Sequence, residues 1–107
     1  MSRFLATRNK GFRMGFDNGF EISVQWGPGN YCAKRDTDFG DPRKTEFWES
    51  LSAEIAVFGK DREFITITNS DVVAGWLTTD KVAKCITIVQ SSTTKEEIET
   101  KLKALNI

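Results

Sequence analysis

Histidine is absent from all 107 residues of the chain. The sequence therefore lacks the commonest general base, the commonest metal ligand and every nucleophile that an adjacent imidazole activates. Catalysis would have to use carboxylates, lysine or tyrosine alone. We expect a protein that binds a partner and is not an enzyme, and a small carboxylate-dependent enzyme is the alternative left open.

Cysteine and long apolar runs are also scarce. Cys32 and Cys85 are the only two cysteines, and their distant positions exclude a structural zinc site and a disulfide scaffold. We expect free thiols, with Cys85 in the core, and neither a metal nor a cofactor. No segment approaches the ~20 apolar residues of a membrane span, and residues 1–10 lack the apolar stretch of a secretory signal. These features predict a cytoplasmic protein without a membrane partner.

The chain has no net charge, since 15 basic residues balance 15 acidic ones. A protein dedicated to duplex nucleic acid usually carries a clear basic excess, so we do not expect that partner. Residues 1–16 are locally basic, with four cations and no acid. We interpret them as a solvated strand and tail, with a basic ligand surface as the alternative.

Apolar residues alternate with polar residues or glycine over much of residues 12–26. Phe12 to Phe16 and Phe20 to Trp26 each alternate with polar residues or glycine, which is typical of half-buried strands. Asp17-Asn-Gly19 stands between them and suits a tight turn. This pattern predicts a hairpin over 11–26.

Further strands are predicted near 51–58, 63–68 and 72–77 from alternation and β-branched residues. Helices are predicted over 80–90, with Asp80 as N-cap, and over 94–105, where Thr94 and Glu97 fit a capping box. The β-branched run 86–89 leaves a strand open as the alternative for that part of the first helix. Strands followed by helices indicate an α+β fold, an antiparallel sheet of about five strands with helices on one face. The length fits a single domain over 1–107.

A turn and a long polar loop follow the hairpin. Gly27-Pro-Gly-Asn30 ends the second strand, and it is read either as a sharp turn or as a weak phosphate cradle. Residues 33–44 are charged and aperiodic, and their aspartates lack the spacing of a calcium loop. Aromatic and basic side chains in this region could stack a base and contact phosphate, form a protein contact, or close the core. The candidate ligand-binding residues are Trp26, Asn30, Tyr31, Arg35, Arg43 and Trp48.

Several blocks of the sequence resemble short accessory proteins encoded by bacteriophages. The blocks are Phe16 to Phe20, Ile22 to Cys32, Ala53 to Ala56, and Gly75-Trp76 before the Asp80 helix. Such proteins often act against host defence, so the resemblance implies a binding role. One form is a homo-oligomeric sponge that sequesters a nucleotide-derived immune signal, in the style of anti-Thoeris and anti-CBASS proteins. The other form is an inhibitor that binds and blocks a host or phage protein.

Overall fold

The computed structural model describes residues 2–7, 10–27, 30–32 and 49–107. These residues form a five-stranded antiparallel sheet followed by two helices, which confirms the predicted α+β class. The elements are β1 (Arg3–Ala6), β2 (Gly11–Gly15), β3 (Glu21–Gln25), β4 (Ala53–Phe58), β5 (Val73–Leu77), α1 (Thr79–Ser91) and α2 (Lys95–Ala104). The strands lie side by side in chain order, so each one pairs with its neighbour in the sequence.

The predicted hairpin over 11–26 is formed by β2 and β3. Its turn needs glycine, because Gly19 has a φ of 90°, which residues with a Cβ rarely adopt. Asn18 stabilises the turn by accepting a hydrogen bond from the Phe20 N–H at 3.0 Å through its side-chain oxygen. Both the strands and the turn therefore follow from local sequence.

One face of the sheet forms the core with the helices. Alternate residues of β3 and β4 point to this face, and α1 packs across both strands. The fully buried large side chains that build it include Ile22, Ile55, Val57, Ile65, Ile67, Val89, Ile98 and Leu102. The helices lie on one face of the sheet, as the order of strands and helices predicts.

Helix α1 spans Thr79–Ser91, so the β-branched run near its end is helical. Its buried residues, Val82, Cys85 and Val89, recur at helical spacing and face the sheet. The predicted N-cap is wrong by two residues. Thr78 is the cap, and its hydroxyl accepts a hydrogen bond from the Lys81 N–H at 3.3 Å.

Helix α2 begins as its capping box predicts. The Thr94 hydroxyl accepts from the Glu97 N–H at 3.1 Å, and the Glu97 carboxylate accepts from the Thr93 N–H at 3.0 Å. Lys101 donates to Glu97 at 2.6 Å, one turn further along the helix. The Thr94 hydroxyl thereby satisfies one of the amide donors of the first turn, that of Glu97.

The predicted strand at 63–68 is wrong. Phe64 makes one isolated bridge to Phe58, and the N–H groups of Ile67 and Thr68 then bond to the Asp71 carbonyl in a local turn. The segment cannot continue along β4, because β5 occupies that edge of the strand from residue 53 to 56. The fifth strand of the sheet is instead β1, within the region interpreted as a solvated strand and tail.

The other face of the sheet carries no helix within the described residues, and we call it the outer face. It bears the alternate residues Arg13, Ser23, Ala56 and Val73, which stand in one row across four strands. None of the helices in the described ranges combines the length and apolar character that a membrane crossing requires.

Candidate functional site

A β-bulge at one end of the outer face builds the most distinctive surface of the molecule. Two residues of β5, Gly75 and Trp76, stand opposite the single residue Glu54 of β4. Trp76 has a φ of 53°, a left-handed conformation that is exceptional for a bulky side chain. The bulge directs its ring away from the core, and 57% of the residue is exposed.

Tyr31 docks onto this bulge through its backbone. Its N–H donates to the Glu54 carboxylate at 2.8 Å, and its carbonyl accepts from the Trp76 N–H at 2.8 Å. Gly75 makes the close approach possible, because a Cβ at that position would lie 2.5 Å from the Cβ of Tyr31. Two hydrogen bonds of its backbone, one of them to the Glu54 carboxylate, and the close approach to Gly75 thus fix the position of Tyr31.

The two rings form what we call the aromatic pair, Tyr31 and Trp76. Their centroids are 5.4 Å apart and their planes are inclined by 29°, which is a stacked arrangement. Tyr31 is 42% exposed, so both rings reach the surface. Because the rings already stack on each other, a third ring can pack only on their outward surfaces.

Asn30 holds the turn that leads into the aromatic pair. Its backbone N–H and its side-chain amide both donate to the Gly27 carbonyl, each at 3.2 Å. The Cys32 thiol donates to the Trp26 carbonyl at 3.0 Å and closes the same turn from the other side. Asn30 was predicted as a ligand contact, and this stays a prediction; both hydrogen bonds that it donates in the described residues go to Gly27.

Trp26 lies on the opposite face of the sheet from Tyr31. Its ring meets Phe12 edge-on, with centroids 6.1 Å apart, and it lines an apolar groove of about 360 Å³ between the sheet and α1. Val82 and Ile86 of α1 form the other wall of the groove. The alternation of β3 could have predicted that Trp26 lies on the helix side, because Trp26 is in phase with the buried residues 20, 22 and 24.

The structure therefore divides the predicted site. Tyr31 and Asn30 lie at the outer face, Trp26 lies on the helix side, and Arg35, Arg43 and Trp48 fall outside the described residues. Trp76 was interpreted as core or interface, and it is the ring that stacks on Tyr31. A glycine next to it within a strand pattern is the signal that could have indicated a bulge.

A cluster of charged side chains occupies the other end of the outer face. The Glu21 carboxylate pairs with both Arg3, at 3.0 Å, and Arg13, so two cations share one anion. The Arg13 guanidinium also lies 4.3 Å from the centre of the Phe58 ring. Its Nε is buried and makes no hydrogen bond. The cluster keeps an excess positive charge next to an aromatic ring.

The distance between the two ends of the outer face follows from strand geometry. The row of Arg13 crosses β4 at Ala56, two residues from Glu54, which stands opposite Trp76, and Arg13 lies three strands from β5 across the sheet. These steps correspond to roughly 7 Å along and roughly 14 Å across. A ligand that contacts both the arginine cluster and the aromatic pair must extend over much of the sheet.

No group of three or more potential metal ligands comes together in the described ranges. Both thiols are buried and unpaired, and burial raises the pKa of the Cys85 thiol to about 11. Because the thiolate is the reactive form, Cys85 is an inert core residue, as its position in the sequence predicted.

Comparison of the chain with protein-family models, with characterised proteins and with solved structures gives no match.

Proposed function

We propose that this chain is a non-catalytic binding protein whose outer face holds a nucleotide-derived molecule, with a base stacked on the aromatic pair. The observation that carries the proposal is the pair itself, two exposed rings fixed by a strained bulge and by the Glu54 carboxylate. Exposed rings held in one geometry lose little conformational entropy on binding, and base stacking on such rings contributes about 1–3 kcal/mol per base.

The arginine cluster supports an anionic ligand. Arg3 and Arg13 share Glu21, so their combined charge exceeds that of their partner. The separation of the cluster from the aromatic pair favours a ligand longer than a single nucleotide. Cyclic dinucleotides and trinucleotides are therefore the first class to test. The resemblance to phage accessory proteins supplies the proposed setting, sequestration of a host immune signal.

A thermal-shift screen tests this proposal directly. The panel contains cyclic dinucleotides and trinucleotides, cyclic ADP-ribose isomers and linear nucleotides. A ligand at 100 times its Kd adds about 2.7 kcal/mol to stability, which raises Tm by several degrees for a domain of this size. We expect one class to produce such a shift, and a flat result over the whole panel would overturn the nucleotide proposal.

Substitution of each ring tests whether the ligand binds at the aromatic pair. Trp76→Ala and Tyr31→Ala should each weaken the ligand at least tenfold, whereas the control Leu51→Ala, an exposed apolar residue at the groove on the helix side of the sheet, should not. The double variant Arg35→Ala with Arg43→Ala tests the sequence-based prediction for those two residues. Tight nucleotide binding that survives this double change would remove them from the site.

A second candidate function is inhibition of a host or phage protein by direct contact. The observation that favours it is the mutual stacking of Tyr31 and Trp76, which leaves no slot between the rings for a base. Large exposed aromatic residues are also typical of the hot spots of protein interfaces. Co-purification of a single protein by the wild type, and its loss with Trp76→Ala, would support this function.

A further inference from the structure

The two edges of the sheet are protected very differently. At the β5 edge the bulge interrupts the strand, and Tyr31 accepts the hydrogen bond of the Trp76 N–H. At the β1 edge the register with β2 is regular, and no further strand lies beyond it in the described part of the chain. All four residues of β1 are exposed. Natural proteins usually shield such an edge with a bulge, a proline or inward-pointing charge.

Hydrogen bonding defines which groups of β1 are free to pair. The Thr7 N–H donates to the Gly11 carbonyl at 3.1 Å, so residue 7 points its backbone groups toward β2. Backbone groups alternate in direction along an antiparallel strand, so residues 5 and 3 also point inward. The N–H and carbonyl groups of Ser2, Phe4 and Ala6 therefore point outward.

The side chains of β1 add an apolar surface to this edge. Phe4 is 81% exposed and lies on the helix side, opposite Met14 in the ladder. Leu5 is an exposed residue on the outer face. The one charge of the strand, on Arg3, is already paired with Glu21 on the same molecule. A second copy of the strand can therefore approach without an unpaired like charge.

We propose that β1 pairs antiparallel with β1 of a second copy of this chain, with Phe4 opposite Phe4 of that copy. Residues opposite each other in a ladder share a face, so the register must join positions of equal parity. The Phe4-centred register does so, and it also pairs Ser2 with Ala6 of the second copy in both directions. Every outward N–H and carbonyl of residues 2, 4 and 6 then has a partner.

The resulting dimer has a ten-stranded sheet with the helices of both copies on one side. On that side the two Phe4 rings cover each other. On the outer face Leu5 lies opposite Arg3 of the second copy, where the aliphatic part of the arginine can cover it. The proposal does not depend on the proposed function, because it is argued only from the backbone and side chains of β1. Arg3 is the one residue of the arginine cluster that lies at this edge, and neither ring of the aromatic pair does.

The oligomeric state of the full chain with a C-terminal tag tests the proposal. Sedimentation over a range of concentrations should show a monomer–dimer equilibrium for the wild type. Phe4→Lys should raise the dimer dissociation constant at least tenfold, since it removes the central contact and adds two like charges. Leu51→Lys is the matched control, because Leu51 is 88% exposed and lies away from β1, and it should leave the dimer unchanged.

A cysteine pair tests the register. Residues that form a hydrogen-bonded pair in an antiparallel ladder have Cα atoms about 5.5 Å apart, which is within the range of a disulfide, so Phe4→Cys should cross-link the dimer under mild oxidation. Leu5→Cys should cross-link much less, because its counterpart is offset by two residues along the strand. A wild type that stays monomeric, a dimer that tolerates Phe4→Lys, or cross-linking through residue 5 in preference to residue 4 would each overturn the proposal.

Discussion

Trp76 occupies a backbone conformation that glycine adopts freely and tryptophan does not. Its φ of 53° carries a cost of roughly 1–2 kcal/mol for a residue with a Cβ. The bulge opposite Glu54 and the hydrogen bond to the Tyr31 carbonyl maintain this conformation. Backbone strain of this kind is concentrated at functional sites, and this supports the aromatic pair as the candidate functional site.

Replacing Trp76 separates the cost of its backbone from the contribution of its ring. Trp76→Gly and Trp76→Ala both lose the ring, but only alanine retains the penalty of a Cβ at positive φ. We expect the glycine variant to have the higher free energy of unfolding, by about 1 kcal/mol, in urea denaturation. At Phe64, which has an ordinary φ, the same two changes should give the opposite order. Equal stability of the two Trp76 variants would contradict the left-handed backbone.

Helix α2 depends on a small network at its first turn. The Glu97 carboxylate accepts hydrogen bonds from Lys101, one turn on, and from the Thr93 N–H that precedes the helix. The bond from Lys101 is the main reason that the pKa of Glu97 falls from 4.5 to about 2, and the Thr93 N–H contributes next. The charged form of Glu97 is therefore favoured in the folded protein.

The pH dependence of stability follows from this lowered pKa. The folded state holds the carboxylate charged more strongly than the unfolded state, so the stabilisation is present above about pH 4.5 and is lost as pH falls toward about 2. Urea midpoints measured across this interval should decline less steeply for Glu97→Gln than for the wild type. Glu96→Gln, an exposed change in the same turn, should keep the wild-type slope. An unchanged slope in Glu97→Gln would show that the network does not form.

At the scale of the whole molecule, hydrogen bonds between segments far apart in the sequence connect the sheet to the helices. The Asn18 amide donates to the carbonyls of Val89, Gln90 and Ser92 at 2.8, 3.1 and 2.9 Å, and so joins the hairpin turn to the end of α1. These carbonyls have no partner within a helix that ends there. Beneath this connection the Cys85 side chain is fully buried between the helix and the sheet.

Labelling of Cys85 by a thiol reagent should therefore report the opening of the core. The pKa raised to about 11 keeps the thiol protonated, and burial excludes the reagent, so modification should proceed no faster than unfolding. An exposed thiol introduced by Leu51→Cys should react at once under the same conditions. Rapid labelling of Cys85 in the folded protein would mean that the helices do not cover the sheet as described.

Elements whose causes are local could be predicted from the sequence alone. Alternation and an Asp-Asn-Gly turn predicted the hairpin over 11–26, and a threonine three residues before a glutamate predicted the start of α2. These signals act between residues a few positions apart, so a single sequence contains them in full. The α+β class followed from the order of the elements.

Features that depend on a partner far away in the sequence follow only from the tertiary structure. Residues 63–68 have the composition of a strand, but β5 occupies the edge of β4 they would need. The run near the end of α1 is helical because its spacing buries Val89 against the sheet. Tyr31 and Trp76 are 45 positions apart, and only the bulge opposite Glu54 brings their rings together. Pairing between distant segments is a property of the folded chain, and no local pattern encodes it.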